Sequence, residues 1–211
     1  MAEKPHLLIV EGKDELHVVS RISESYDILE NFKIEVSGSN DQAIDKFISS
    51  IFASDFNKVG VLLDFEPNQN VWGKLYNGLQ SYKPYYKTIP HDPLEGGVIV
   101  EANGTNKLFD NFGIWLMPNN KDKGTLENFL LSVVNSGNVQ IAFAEETLKE
   151  LEKRGLDDYK PVHRNKALIH TYLAWQENPG APYGTALKQK AFDIEHPDVQ
   201  ALANWLRQLF A

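Results

Sequence analysis

The chain has 211 residues and no cysteine, and its 29 acidic and 21 basic residues give a formal net charge of −8. Lack of cysteine excludes disulfides, thiolate metal sites and a cysteine nucleophile, and the acidic balance argues against coating nucleic acid by charge alone. No apolar run approaches the roughly 18 residues of a membrane span and no secretory signal is evident, so a cytoplasmic protein is expected. The length predicts one domain, with or without an appendage.

The first predicted element is a buried strand, the continuous apolar run HLLIV at His6–Val10. The strand leads directly into an acid, Glu11, and a second acid, Glu15, follows four residues later in the stretch EGKDE. Apolar residues then recur at helical spacing, which predicts a helix over residues 14–22. The first predicted strand is therefore followed by a carboxylate, a glycine and, one helical turn later, a second carboxylate.

Strands and helices continue to alternate up to about residue 135. Short apolar or alternating runs predict further strands at Lys33–Val36, Val59–Leu63, Val98–Ala102 and Gly113–Pro118. Apolar stripes predict helices at Ala43–Phe52, Val71–Leu79 and Leu126–Val133, and three more at Ile141–Lys153, Asn165–Gln176 and Val199–Phe210. Strands largely stop after residue 138.

This order of elements predicts an α/β fold with a Rossmann-like, mostly parallel sheet flanked by helices and joined by right-handed crossovers. Residues 1–138 are expected to form the α/β domain. Residues 139–211 are expected to form a helical C-terminal extension that packs on the sheet as part of the same compact unit.

Acidic residues follow the predicted strands at the edge where α/β sheets bind their ligands. Glu11 and Glu15 follow the first strand, Asp64 and Glu66 follow VGVLL, and Glu127 lies beyond GIWLMP. Carboxylates gathered at one edge repel by on the order of a few kcal/mol per close pair, so such a cluster binds protons or cations. Oxygen ligands alone favour Mg²⁺ or Mn²⁺, and these ions support phosphodiester hydrolysis.

Each acid also has an ordinary structural interpretation. Glu11 can be a solvated loop residue, Asp64 and Glu66 a chance pair, and Glu127 an acid stabilised by a helix dipole. Their joint occurrence at one predicted sheet edge favours the metal site. The six histidines show no paired metal-ligand spacing and are expected to be structural or exposed.

The stretches VEGKDE and VLLDFE resemble the Toprim domain of topoisomerases, bacterial primases and OLD (overcoming-lysogenization-defect) nucleases. The match covers residues 5–135, and GIWLMPNNKDKGTLENFL and LIHTYLAWQENPGAPYG extend it toward OLD-type Toprim nucleases and small stand-alone bacterial Toprim proteins of unknown function. The resemblance implies a Toprim fold and a nuclease that cleaves DNA or RNA. Its pattern implies that Mg²⁺ or Mn²⁺ is bound by Glu11, Glu15, Asp64 and Glu66.

In the same pattern, Thr125 and Glu127 match a Ser-x-Glu that helps to hold a second metal ion. Lys166 is the candidate for a downstream lysine, whose ammonium can stabilise charge developing on the scissile phosphate. Lys160 and Arg164 lie close by in the sequence and could take its place. Glu11 and Lys166 are thus the candidate catalytic residues, with Glu11 or Glu15 positioning the attacking water.

Three positions depart from the OLD-type pattern: Glu66 replaces an aspartate, Thr125 a serine, and Asn119 stands where an aspartate is half expected. No ATP-binding phosphate loop occurs in the chain. The expected partner is nucleic acid and not a membrane, while a homodimer and a separate partner protein both stay open. The rival function is a catalytically inactive Toprim-fold module that binds nucleic acid or regulates another protein.

Overall fold

The structure, a computed structural model, describes residues 5–28, 32–53, 55–104 and 108–210. Its strands are β1 (His6–Val10), β2 (Phe32–Val36), β3 (Lys58–Asp64), β4 (Val98–Glu101) and β5 (Asn111–Met117). Its α-helices are α1 (Lys13–Ser25), α2 (Asn40–Phe52), α3 (Val71–Gln80), α4 (Leu126–Ser132), α5 (Val139–Lys153), α6 (Arg164–Ala174), α7 (Tyr183–Lys188) and α8 (Pro197–Phe210). None of the helices in these ranges combines the length and apolarity needed to cross a membrane.

The five strands form one sheet in the order β2-β1-β3-β5-β4. All neighbouring pairs are parallel except β4 and β5, which are antiparallel. The predicted mostly parallel α/β sheet is therefore confirmed. The chain moves from β1 to one side to form β2 and then to the other side to form β3, so the strand order reverses between β1 and β3. Ligands of open α/β sheets bind at the carboxyl ends of the strands at such a reversal.

Helices cover both faces of the sheet, which explains why its strands are apolar throughout. In β1, Leu8 and Val10 belong to one buried cluster, which also contains apolar residues of α1 and α4–α8. Leu7 and Ile9 belong to the second cluster, beneath α2 and α3. Successive side chains of a strand point to opposite faces, so a continuous apolar run is required here.

The C-terminal helix α8 packs directly on the middle of the sheet. Gly60 of β3 pairs in register with Gly113 of β5. A Cβ atom at these two glycines would lie 2.8 Å and 2.6 Å, respectively, from the Leu209 side chain. The helices after residue 138 thus complete one of the two cores, while the proposed boundary at that residue stays a prediction.

The structure contains one α-helix that the sequence did not predict. Helix α7 lies between the two predicted helices at Asn165–Gln176 and Val199–Phe210 and begins at the end of the stretch NPGAPYG. Its six residues are too few to show a repeating apolar stripe. The proline and glycine residues before it indicate a loop.

Candidate active site

A cavity of about 410 Å³ lies at the carboxyl ends of β1 and β3, where the strand order reverses. We call it the carboxylate pocket. Seven residues singled out from the sequence line it: Glu11, Glu15, Asp64, Glu66, Thr125, Glu127 and Lys166. Positions up to 155 residues apart in the sequence therefore meet in one cavity. Lys13, Asp14 and His163 line the same cavity.

Gly12 permits the close approach of the two acids that follow β1. The backbone N–H of Gly12 donates a hydrogen bond of 2.8 Å to Oε2 of Glu15, which caps the start of α1. A Cβ atom at Gly12 would lie 2.8 Å from that same oxygen, so a side chain would displace Glu15. Glu15 is only 8% exposed, and one of its oxygens is thus already committed to the helix.

Asp64 connects the end of β3 to the start of α4. Its Oδ1 accepts a 2.9 Å hydrogen bond from the backbone N–H of Leu126. The buried side chain of Asn40 donates through Nδ2 to the carbonyl oxygen of Asp64 at 3.1 Å. These contacts fix the backbone and one carboxylate oxygen of Asp64 at the base of the pocket.

Thr125 positions Glu127 at the N-terminus of α4. The Thr125 hydroxyl donates to Oε2 of Glu127 at 2.8 Å, and the Thr125 backbone N–H donates to Oδ1 of Asn128 at 3.0 Å. Glu66, two residues after the end of β3, accepts a hydrogen bond from the Gln69 side chain. Thr125 thus orients an acid of the pocket through its hydroxyl, as a serine at this position could.

Lys166 supplies a positive charge to the pocket from α6. Its Nζ lies 3.6 Å from Oε1 of Glu127 and 3.8 Å from Oδ2 of Asp14. Of the two alternatives, Arg164 forms ion pairs with Glu145 and Glu152 of α5. Lys160 is not among the described residues that line the pocket. The geometry thus selects Lys166 among the three cations.

Burial and mutual repulsion raise the pKa of three carboxyl groups of the pocket, those of Glu11, Glu15 and Asp64. Burial, then the charges of Glu15 and Glu11, raises the pKa of Asp64 to about 8. Burial, then the charges of Glu15, Glu66 and Glu127, raises the pKa of Glu11 to about 7. The pKa of Glu15 is raised as well, chiefly by burial. A divalent cation would remove this repulsion and compete with the protons.

The residues of the pocket fit a hard divalent cation in their chemistry. All the acidic groups offer oxygen, and Oε2 of Glu11 is buried with no hydrogen-bond partner among the described residues. Within the described ranges, however, no three His, Cys, Asp or Glu side chains are already arranged to hold one metal ion. One oxygen of Glu15 accepts a hydrogen bond from Gly12, and one oxygen of Glu127 accepts a hydrogen bond from Thr125. These hydrogen bonds contribute to the open arrangement of the acids.

Some residues of the site were not recognised from the sequence. Asp14, between Lys13 and Glu15, lies close to Lys166, a contact that the sequence did not predict. Tyr183 of α7 is buried near the pocket: burial, then the charges of Glu127, Asp14 and Glu15, raises its pKa. Nothing in the sequence around Tyr183 links it to the acids, because only the packing of α7 against α1 brings it there.

Asn119 has a local role instead of a place in the pocket. Its Oδ1 accepts hydrogen bonds from the backbone N–H groups of Lys121 and Asp122, and its Nδ2 donates to the Asp122 side chain. An asparagine here closes a turn, for which its side chain is well suited.

A family model described as "Protein of unknown function (DUF3226)" matches residues 5–211. No curated protein and no solved structure matches the chain.

Proposed function

Because the chain belongs to the DUF3226 family, whose function is unknown, we propose an activity from the site itself: Mg²⁺- or Mn²⁺-dependent hydrolysis of phosphodiester bonds in DNA or RNA. One observation carries the proposal. Six carboxylates from three separate parts of the chain line a single pocket together with two lysines. The resemblance of VEGKDE and VLLDFE to OLD-type Toprim nucleases points to the same chemistry.

The acids would hold the cation, with Glu11, Asp64 and Glu66 as the central ligands. Glu15 and Glu127 would add ligands from the first turns of α1 and α4, with Thr125 beside them. When bound, the ion supplies positive charge to phosphate oxygens and makes a nearby water more acidic. Closing the open arrangement around an ion would require rotation of side chains and not of the backbone, because the strand ends are fixed in the sheet.

Lys166 and Glu11 would act on the substrate itself. The Lys166 side chain is 47% exposed, so its ammonium can reach a phosphate in the pocket and stabilise the negative charge that develops there. Oε2 of Glu11 has no hydrogen-bond partner among the described residues and can orient the attacking water. The contacts of Lys166 with Glu127 and Asp14 keep the ammonium at the mouth of the acid cluster.

The proposal is tested by incubating the protein with supercoiled plasmid and with structured RNA. We expect cleavage of at least one of them in Mg²⁺ or Mn²⁺, and none when EDTA removes the ion. The variant Asp64→Asn, purified in the same way, controls for contaminating nucleases. Intact substrates in both metals would contradict the proposal.

The alternative is a module that binds nucleic acid or regulates another protein without cleaving. It is favoured by the lack, within the described ranges, of a ready-made set of three metal ligands. Binding of plasmid or RNA without cleavage in either metal would support this module.

A further inference from the structure

A second cavity of about 410 Å³ lies between α1 and α7. We call it the α1–α7 groove. Its lining combines two cationic side chains, Arg21 and Lys188, with the polar side chains of His17, Ser20 and Thr185. Helix α1 therefore lines both this groove and the carboxylate pocket.

The groove carries an excess of positive charge on an acidic protein. Glu24 is the single acid among its described lining residues, and Oε2 of Glu24 lies 2.6 Å from Nη1 of Arg21. Lys188 is exposed and forms no ion pair with any described residue. Nε of Arg21 is buried without a hydrogen-bond partner in the described part of the chain. The Arg21 side chain as a whole is 24% exposed and lines the groove, so its positive charge is available to phosphate oxygens there.

The groove lies farther along α1 than the carboxylate pocket. Lys13 and Asp14, in the first turn, line the pocket, whereas His17 and Arg21, one and two turns later, line the groove. From Asp14 to Arg21 the helix rises about 10 Å, which is the length of about three stacked nucleotides of one strand. Helix α7 is held tightly to this stretch of α1, because a Cβ atom at Gly184 would lie 2.5 Å from the carbonyl oxygen of His17.

We propose that the α1–α7 groove binds the sugar-phosphate backbone of the nucleotides that flank the bond cleaved in the carboxylate pocket. Arg21 and Lys188 contact flanking phosphates, and the hydroxyls of Ser20 and Thr185 add neutral donors. This inference rests on the proposed nuclease function and assigns it a polymeric substrate. The acidic pocket by itself repels the flanking backbone, so a cationic surface two helical turns away accounts for how an acidic protein holds a polyanion.

The test removes both charges of the groove in protein that also carries Lys166→Gln, which keeps the proposed cation ligands and slows hydrolysis. Short incubations then keep the labelled oligonucleotides intact. In Mg²⁺, we expect Arg21→Gln with Lys188→Gln to weaken binding of a long single-stranded DNA or RNA by about five- to tenfold and to make the salt dependence shallower by about one unit of slope. A dinucleotide, too short to reach the groove, should bind equally to both proteins. The charge-conserving pair Arg21→Lys with Lys188→Arg should bind the long strand as before.

The matched control is Lys83→Gln with Lys87→Gln, which removes two exposed cations near β4, at the far edge of the sheet. This control should bind the long strand like its parent. Equal affinities in the groove variant and the control would overturn the inference, and so would a failure of every protein to bind the long strand. This test measures binding and requires no cleavage. The proposed role of the groove can therefore be disproved while the proposed hydrolysis is upheld, and the binding result can be interpreted even if no hydrolysis is found.

Discussion

Replacing Asp64 by asparagine is expected to abolish phosphodiester hydrolysis and at the same time to stabilise the metal-free protein. Hydrolysis should fall by about a hundredfold or more, because a central cation ligand is lost. At about pH 9, the free energy of unfolding in EDTA should rise by on the order of 1 to 2 kcal/mol, because asparagine removes a buried charge that neighbouring acids repel. Rate assays and urea unfolding measure the two effects.

The stability effect has a defined dependence on pH. The folded protein raises the pKa of Asp64 from 3.8 to about 8. Between these values the folded state binds more protons than the unfolded state, so the wild-type protein loses stability as pH rises. The advantage of Asp64→Asn should therefore grow from about pH 4 to pH 8 and then level off. Asparagine can still accept the Leu126 N–H through its side-chain oxygen, so the start of α4 should stay intact.

The control for both effects is Asp45→Asn, which neutralises an exposed acid on α2. It should change neither hydrolysis nor the pH dependence of stability by a measurable amount. A loss of hydrolysis in Asp64→Asn accompanied by a loss of stability at every pH would indicate that Asp64 serves the fold and not a cation.

Replacing Lys166 by glutamine is expected to slow hydrolysis by about a hundredfold while leaving the binding of Mn²⁺ intact. The ammonium lies beside Glu127 and Asp14 and is not itself a cation ligand. Its removal takes away stabilisation of the transition state and also one positive charge that competes with the metal ion. Turnover should therefore fall, while the increase in melting temperature caused by Mn²⁺ should be equal to or larger than that of the wild type.

The neighbouring cation provides the matched control. Lys160→Gln removes the same charge six residues away, at a position that is not among the described lining residues, and should retain hydrolysis. Lys166→Arg should restore part of the rate, because it keeps the charge with a different reach. Full activity of Lys166→Gln would remove this residue from the proposed chemistry.

The alternation of strands and helices was enough to predict the sheet, because each parallel strand is buried on both faces and reads as an apolar run. The reversal between β1 and β3 and the antiparallel pairing of β4 were not predicted from any local pattern. They depend on which strands share hydrogen bonds, a property of packing over long distances. Helix α7 was not predicted for a related reason. Its packing against α1 stabilises a helix that its local sequence does not indicate.

The candidate site was predictable to the extent that its residues follow strand ends. Glu11 directly follows β1 and Asp64 is the last residue of β3, so the fold rule alone places them near each other. The sequence proposed Lys166 but left Arg164 open, because the engagement of Arg164 by two acids of α5 is visible only in the packed structure. The hydrogen bond by which a Glu15 oxygen caps α1 could not be predicted from the sequence either.

The most direct measurement is the anomalous scattering of Mn²⁺ in a crystal of the protein. The proposed function predicts strong peaks inside the carboxylate pocket, with side-chain oxygens of Glu11, Asp64 and Glu66 as ligands. It also predicts that the peaks disappear in Asp64→Asn. A pocket free of Mn²⁺ at concentrations that occupy other sites on the protein would contradict the claim that these acids are gathered to hold a divalent cation.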